Sequence, residues 1–253
     1  MKLLRGTGGV SQPRVRLEKA ERKAPDRWVL DGQQAHHLLH VRRCVEGDRI
    51  EGLWEGKLLS LRLELNDGLL CGVVEEEISM MPEKNLWLLL GLLKPDAFER
   101  SLRMATESGA EKIIPIICER SVPRVDRKKW SGKRSRWMKI IEESTKQSRV
   151  PEKPVLYEPM PLESVLSLSL PEARYAAMLD GGPKTLIDLK PSQGAVFAVG
   201  PEGDWAPGER EALLERDFIA VSLGSRILTS PTAVAVGLGF LSMRLEQSYE
   251  SKN

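Results

Sequence analysis

The chain has 253 residues, enough for one large domain or two ordinary ones. Its 41% hydrophobic and 29% charged residues are those of a water-soluble globular protein, and a net charge of +2 gives no overall field toward a polyanionic partner. Cys44, Cys71 and Cys118 are too scattered for a disulfide frame or a metal-ligand set, which fits a reducing cytoplasm.

The opening MKLLRGTGGVSQPR lacks the apolar core of a signal peptide. Residues 1–30 hold eight Lys/Arg against three Asp/Glu, a local basic surface that suits phosphate or simply faces solvent. A short helix is expected over Gln33 to Arg42. It carries all three histidines: His36 and His40 share a face, but no third ligand follows, so no metal site is expected. Two readings remain for His36 and His37: RNA contact beside Arg42 and Arg43, or a helix packed on its own domain. RIEGLWEGKLLSLRLEL alternates like a hairpin turning at Glu55-Gly56, and LLCGVVEEEI reads as a further strand. Short strands with few helices suggest a small β-barrel over residues 1–78, followed by a linker over 79–85.

From residue 86 strands alternate with helices. LWLLLGLL is apolar throughout, as a strand covered on both faces requires. DAFERSLRMATES is an amphipathic helix stopped by Gly109, KIIPII the next strand, and 128–148 a helix. Residues 120–153 carry twelve Lys/Arg against four Asp/Glu, including Arg120, Arg124 and Arg149. Strands follow at YAAMLD, AVFAV and FIAVSL, and a last helix runs from about Pro231 to Glu246. The longest apolar runs are too short to span a bilayer. This alternation predicts an α/β domain over 86–253 with a mostly parallel sheet, whose ligands lie beyond the carboxyl ends of the strands.

Two loops fit that place. Gly200, Pro201, Glu202 and Gly203 follow AVFAV; the glycines permit positive φ or close approach, and Pro207 suits the first turn of the next helix. An ordinary strand–helix turn has the same composition. LGSRILTSPTA, residues 223–233, places Arg226 among apolar residues, with Ser230 as helix cap and Pro231 in the first turn. Arg226 is either a site residue or a surface cation paired with an acid. No GxxxxGK[ST] or GxGxxG pattern is present, which removes support for common nucleotide hydrolysis or dinucleotide binding.

GPEG after one strand, LGSRIL after the next and TA opening an apolar last helix resemble the SPOUT class of knotted methyltransferases. Within it the chain resembles the ribosomal small subunit methyltransferase E family, which methylates N3 of a uridine in 16S rRNA. AHHLLHVRRCVEGDRI resembles that family's N-terminal PUA-like barrel motif, RMATESGAEKIIPIICERS its second block and KQSRVPEKPVL its third.

The resemblance implies a trefoil-knotted, mostly parallel sheet behind a PUA-like β-barrel, with S-adenosylmethionine bent in the knot. Gly200, Pro201 and Gly203 would form one cofactor wall, Leu223, Gly224, Ile227 and Leu228 a second, and Leu179 with Gly181 a third. Arg226 would stabilise the uridine anion and Glu202 would order the loop or the cofactor; no residue is identified as the base. His36, His37, Arg42, Arg43, Arg120, Arg124 and Arg149 would contact RNA. A cytoplasmic homodimer acting on 16S rRNA, as the assembled 30S subunit, is expected. The chain departs from the family's usual R-I-L-R-T-E-T-A at Thr229 and Pro231, and from its usual Gly-Phe at Asp204 and Trp205. A silent RNA-binding homologue and a ribose 2′-O-methyltransferase on the same fold are the alternatives.

Overall fold

The computed structural model describes residues 12–54, 57–78, 84–121, 130–148, 150, 152–179, 184–191 and 193–250. The chain divides into two units, residues 1–81 and 82–253. The hairpin turn at Glu55-Gly56 and linker residues 79–83 lie outside the described residues.

The first unit contains β1 (Arg14–Arg16), β2 (Glu21–Ala24), β3 (Arg27–Val29), α1 (Gly32–His36), β4 (Arg49–Trp54), β5 (Lys57–Asn66) and β6 (Leu69–Ile78). Its strands form one six-stranded sheet in the order β1-β4-β5-β6-β3-β2. β1 runs parallel to β4, and the other pairs are antiparallel. The alternation read in LLSLRLEL points Leu59, Leu61 and Leu63 into a core with Leu17, Trp28 and Ile50. Leu61 fits because both flanking strands carry a glycine diagonal to it: a Cβ on Gly52 or Gly72 would lie 2.6 or 2.9 Å from its Cδ1. The expected helix over Gln33 to Arg42 is two pieces. Asp31 caps α1 by accepting the Gln33 and Gln34 N–H groups, and the chain then widens to a π-helical turn over His37–Val41, closed by Arg42 N–H donating to His37 O at 2.9 Å.

The second unit contains β7 (Leu86–Gly91), α2 (Pro95–Glu107), β8 (Lys112–Ile117), α3 (Trp130–Ser148), β9 (Val155–Leu156), β10 (Met160–Pro161), α4 (Leu162–Leu166), β11 (Ala173–Ala177), β12 (Lys184–Thr185), β13 (Ala195–Val199), α5 (Pro207–Glu215), β14 (Ile219–Ser222) and α6 (Ser230–Glu250). The order β10-β8-β7-β13-β11-β14-β12, with β9 beside β8, is parallel throughout. Helices cover both faces, which explains the unbroken apolar run of β7. Leu86, Leu88 and Leu90 pack toward Phe98 and Leu102 of α2, Trp137 and Ile141 of α3, and Leu238 and Leu241 of α6. Trp87 and Leu89 face the opposite layer, with Val165 of α4 and Leu213 of α5. α6 lies close against β13 because residue 237 is glycine: a Cβ there would meet the Phe197 ring at 2.1 Å. Gly239, by contrast, has nothing within 4 Å of its Cβ position.

Lys84 and Asn85, expected in the linker, are anchored to this unit. Lys84 Nζ donates to Ser242 Oγ at 2.7 Å and pairs with Glu246, while Asn85 O accepts the Ala195 N–H. No described helix is long and apolar enough to cross a membrane.

Candidate active site

The carboxyl ends of β7, β11, β13 and β14 open onto a cavity of about 880 Å³, within the range of small-ligand sites. One wall is the loop from Gly200 to Asp204. It sits directly on β7 because residue 91 is glycine: a Cβ there would lie 2.6 Å from Pro201 N. Trp205 is buried beneath the loop, its indole atoms 3.2–3.3 Å from where a Gly200 Cβ would be, closer than ordinary contact, and its Nε1–H donates to Ala177 O at 3.0 Å. Arg120 Nη1 donates to Gly203 O at 3.0 Å and to Trp205 O at 3.4 Å. Glu209 completes the support: one carboxylate oxygen accepts the Ala206 N–H and the other the Glu119 N–H, at 2.9 and 2.8 Å. Neighbouring Cys118 is pushed up to about 12, first by burial and then by the Glu209 charge, so its thiol is protonated at neutral pH.

The second wall runs from Ser222 to Ser230. Gly224 takes φ +119, a conformation that favours glycine. Leu223 and Leu228 pack on the core, whereas Ile227 is 82% exposed, and Leu179 on the neighbouring segment 54%. Both of these exposed apolar side chains line the cavity. Ser230 Oγ donates to Gly200 O at 3.3 Å and so joins the two walls. Arg226 lines the cavity, exposed and without a side-chain partner among the described residues.

Gly200, Pro201, Glu202, Leu223, Gly224, Arg226, Ile227, Leu228 and Leu179 are thus brought together as read from the sequence. Several details differ. Gly203 lies outside the lining, and its Cβ direction meets Arg120 Cβ at 3.2 Å. Neither Gly200 nor Gly203 has positive φ; the left-handed residue is Asp204, at +59. Glu202 Oε1 accepts the Lys94 N–H at 3.0 Å and so ties the loop to the start of α2. Arg120, expected on an RNA face, is engaged with the loop carbonyls. The last helix starts one residue earlier than expected: Ala233 N–H donates to Thr229 O, so Thr229 rather than Ser230 occupies the cap position. Gly181, Arg124 and Arg149 lie outside the described residues.

Sequence reasoning missed a third side of the cavity, formed by Lys94, Pro95, Asp96, Ala97 and Arg100 at the start of α2. The available signal was Pro95 two residues past LWLLLGLL, which marks a helix start at a strand's carboxyl end. In the first unit His36, His37, His40, Arg42 and Arg43 are exposed, and the His36 and His40 rings lie 4.7 Å apart. No group of three or more His, Cys, Asp or Glu able to hold a metal occurs among the described residues.

The profile of the RNA methyltransferase domain family matches residues 80–242, which span the whole of this cavity. A ribosomal RNA small subunit methyltransferase E from a Synechocystis species is 31% identical over 236 residues, 86% of this chain and 73% of that protein. The chain belongs to the ribosomal RNA small subunit methyltransferase E family. Another member of that family, from Bacillus subtilis, is 29% identical over 247 residues, 92% of this chain and 96% of its own length. The structure of the Neisseria gonorrhoeae family member bound to S-adenosyl methionine superposes with a TM-score of 0.70 at 27% identity, covering 90% of this chain and 96% of that one.

Proposed function

We infer that the chain methylates N3 of a uridine in 16S rRNA with S-adenosylmethionine, on the assembled 30S subunit. The observation that carries the reading is the cavity between the 200–204 and 222–230 loops. Its residues suit such a cofactor. Exposed Ile227 and Leu179 offer apolar cover to an adenine ring, and the glycine-rich loops bring main-chain groups to the cavity surface. When bound, S-adenosylmethionine supplies a methyl carbon activated by its sulfonium.

The chain's part is to orient and to compensate charge. Uridine N3 loses a proton as it attacks, and the unpaired Arg226 guanidinium at the rim stabilises the resulting uracil anion. Glu202 acts by positioning, through its bond to Lys94 N–H. The target base leaves its stack to enter the cavity. His36, His37, Arg42 and Arg43 contact RNA phosphate and sugar from the first unit, which we read as a PUA-like barrel on the strength of its six-stranded sheet and short, turn-rich elements.

We read the second unit as trefoil-knotted from its family; the strand order, with β13 and β14 on either side of the earlier β11, accommodates that topology. We also read the protein as a cytoplasmic homodimer. Supporting the dimer, Val236 and Met243, seven residues apart on one face of α6, are apolar and 39% and 57% exposed. Light scattering should give twice the chain mass at micromolar concentration, and a single-chain mass would remove the dimer. For the substrate, purified 30S subunits should be methylated faster than protein-free 16S rRNA. The reverse order would remove the assembled particle from the account.

A further inference from the structure

Three carboxylates line the cavity: Asp96, Glu202 and Asp204. Two of them serve the fold. Glu202 accepts the Lys94 N–H, and Asp96 lies in the first turn of α2, where its charge is offset by the free amides of the helix start. Asp204 serves no such purpose. Its backbone N–H closes the turn onto Pro201 O at 3.0 Å, but its carboxylate has no hydrogen-bond or ion-pair partner among the described residues. Lys94, Arg100 and Arg226 also line the cavity, and none of them pairs with it.

Asp204 sits at φ +59, a left-handed position that glycine adopts most freely and that aspartate tolerates, as Asp67 and Asp217 do elsewhere in the chain. A half-buried, unpaired anion at a cavity wall is a local conflict of the kind found where a ligand supplies the missing partner. The cofactor of the proposed reaction carries two positive charges, on its sulfonium and on its α-ammonium. Two walls of the same cavity supply apolar and main-chain surface; Asp96 is exposed at the helix start, and Asp204 is the half-buried lining anion without a partner among the described residues.

We propose that Asp204 is the anionic contact for the positively charged methionine arm of S-adenosylmethionine. The assignment rests on the cofactor reading given above and names a residue within it. Asp204→Asn tests it directly, because asparagine keeps the shape and tolerates the left-handed region but removes the charge. Calorimetric titration of the full chain with S-adenosylmethionine should show affinity weakened about threefold to tenfold, the scale of a partly solvated charge contact. Asp204→Gly should show the same weakening with the fold intact by circular dichroism, since glycine adopts φ +59 freely.

Parallel titrations with S-adenosylhomocysteine, which lacks the sulfonium charge, locate the contact. Equal losses for both compounds place Asp204 on the α-ammonium, and a loss confined to S-adenosylmethionine places it on the sulfonium; either supports the assignment. Unchanged affinity for both compounds in both variants, with the parent binding normally, would overturn it and leave the cofactor reading intact. A parent chain that binds neither compound would overturn the cofactor reading and this assignment together.

Discussion

Gly91→Ala is the most revealing single substitution for the architecture of the site. The added Cβ would lie 2.6 Å from Pro201 N, 2.8 Å from Pro201 Cδ and 2.9 Å from Gly200 C. Ordinary contact begins at 3.4 Å, so the loop must retreat by about 0.8 Å (3.4 − 2.6). The opposing atoms are backbone and a proline ring, which have no rotamer to change. Residue 91 is itself held in the sheet by its pairing with Ile116. Overpacking of this kind costs about 1–3 kcal/mol, offset by about 0.4–1 kcal/mol from the stiffer unfolded chain. The net loss of about 1–2 kcal/mol corresponds to roughly 2–8 °C in melting temperature for a unit of this size. The displaced Pro201 wall should lower S-adenosylmethionine affinity by at least about tenfold. Gly208→Ala is the matched control: nothing lies within 4 Å of its Cβ, so stability should hold or rise by about 0.5–1 kcal/mol with affinity unchanged. Differential scanning fluorimetry and calorimetry read both quantities. A Gly91→Ala chain with the parent's melting temperature and affinity would refute the close seating of the 200–204 loop on β7.

Other consequences follow from the same geometry. Arg226→Ala should lower the single-turnover methylation rate by about 10²–10³, the usual effect of losing one charge-stabilising donor, with cofactor affinity unchanged by calorimetry. Arg42→Ala with Arg43→Ala should weaken binding to 16S rRNA and flatten the log–log salt dependence by about 0.7–0.9 for each phosphate that is no longer neutralised, again sparing the cofactor. The Cys118 thiol, ordinarily near 9.0, is raised to about 12 in the fold, so it contributes stability that is fully present below pH 9.0 and lost as pH rises toward 12. Denaturant midpoints of the parent should therefore fall more steeply across that window than those of Cys118→Ala, and iodoacetamide should leave native Cys118 unmodified at neutral pH.

The parallel sheet was legible because burial on both faces leaves a plain mark: LWLLLGLL and AVFAV have no polar position to give to solvent. The two loops were legible because Gly, Pro and Ser punctuate strand ends in a fixed way. What composition does not encode is direction. GPEGDW holds two glycines, yet the left-handed position falls on Asp204, and the glycine demanded by close packing is Gly91, over a hundred residues earlier in the chain. Gly203 was assigned to the cavity by proximity in sequence, whereas the chain turns it toward Arg120. Arg120 itself sits in a basic stretch, and only the fold reveals that its guanidinium is taken up by Gly203 O and Trp205 O. The α2 side of the cavity was missed for a related reason. Lys94 and Arg100 read as ordinary exposed charges until β7 and β13 become neighbours in the sheet.

The central claim, base methylation at N3, is tested most directly by incubating the purified chain with 30S subunits and S-adenosylmethionine carrying an isotopically labelled methyl group, then digesting the 16S rRNA to nucleosides for mass spectrometry. The account predicts one labelled product, 3-methyluridine, with the label on the uracil fragment and none after Arg226→Ala at short times. Label on the ribose fragment would contradict N3 chemistry in favour of a 2′-O-methyltransferase, and unlabelled RNA from a chain that binds the cofactor would contradict catalysis altogether.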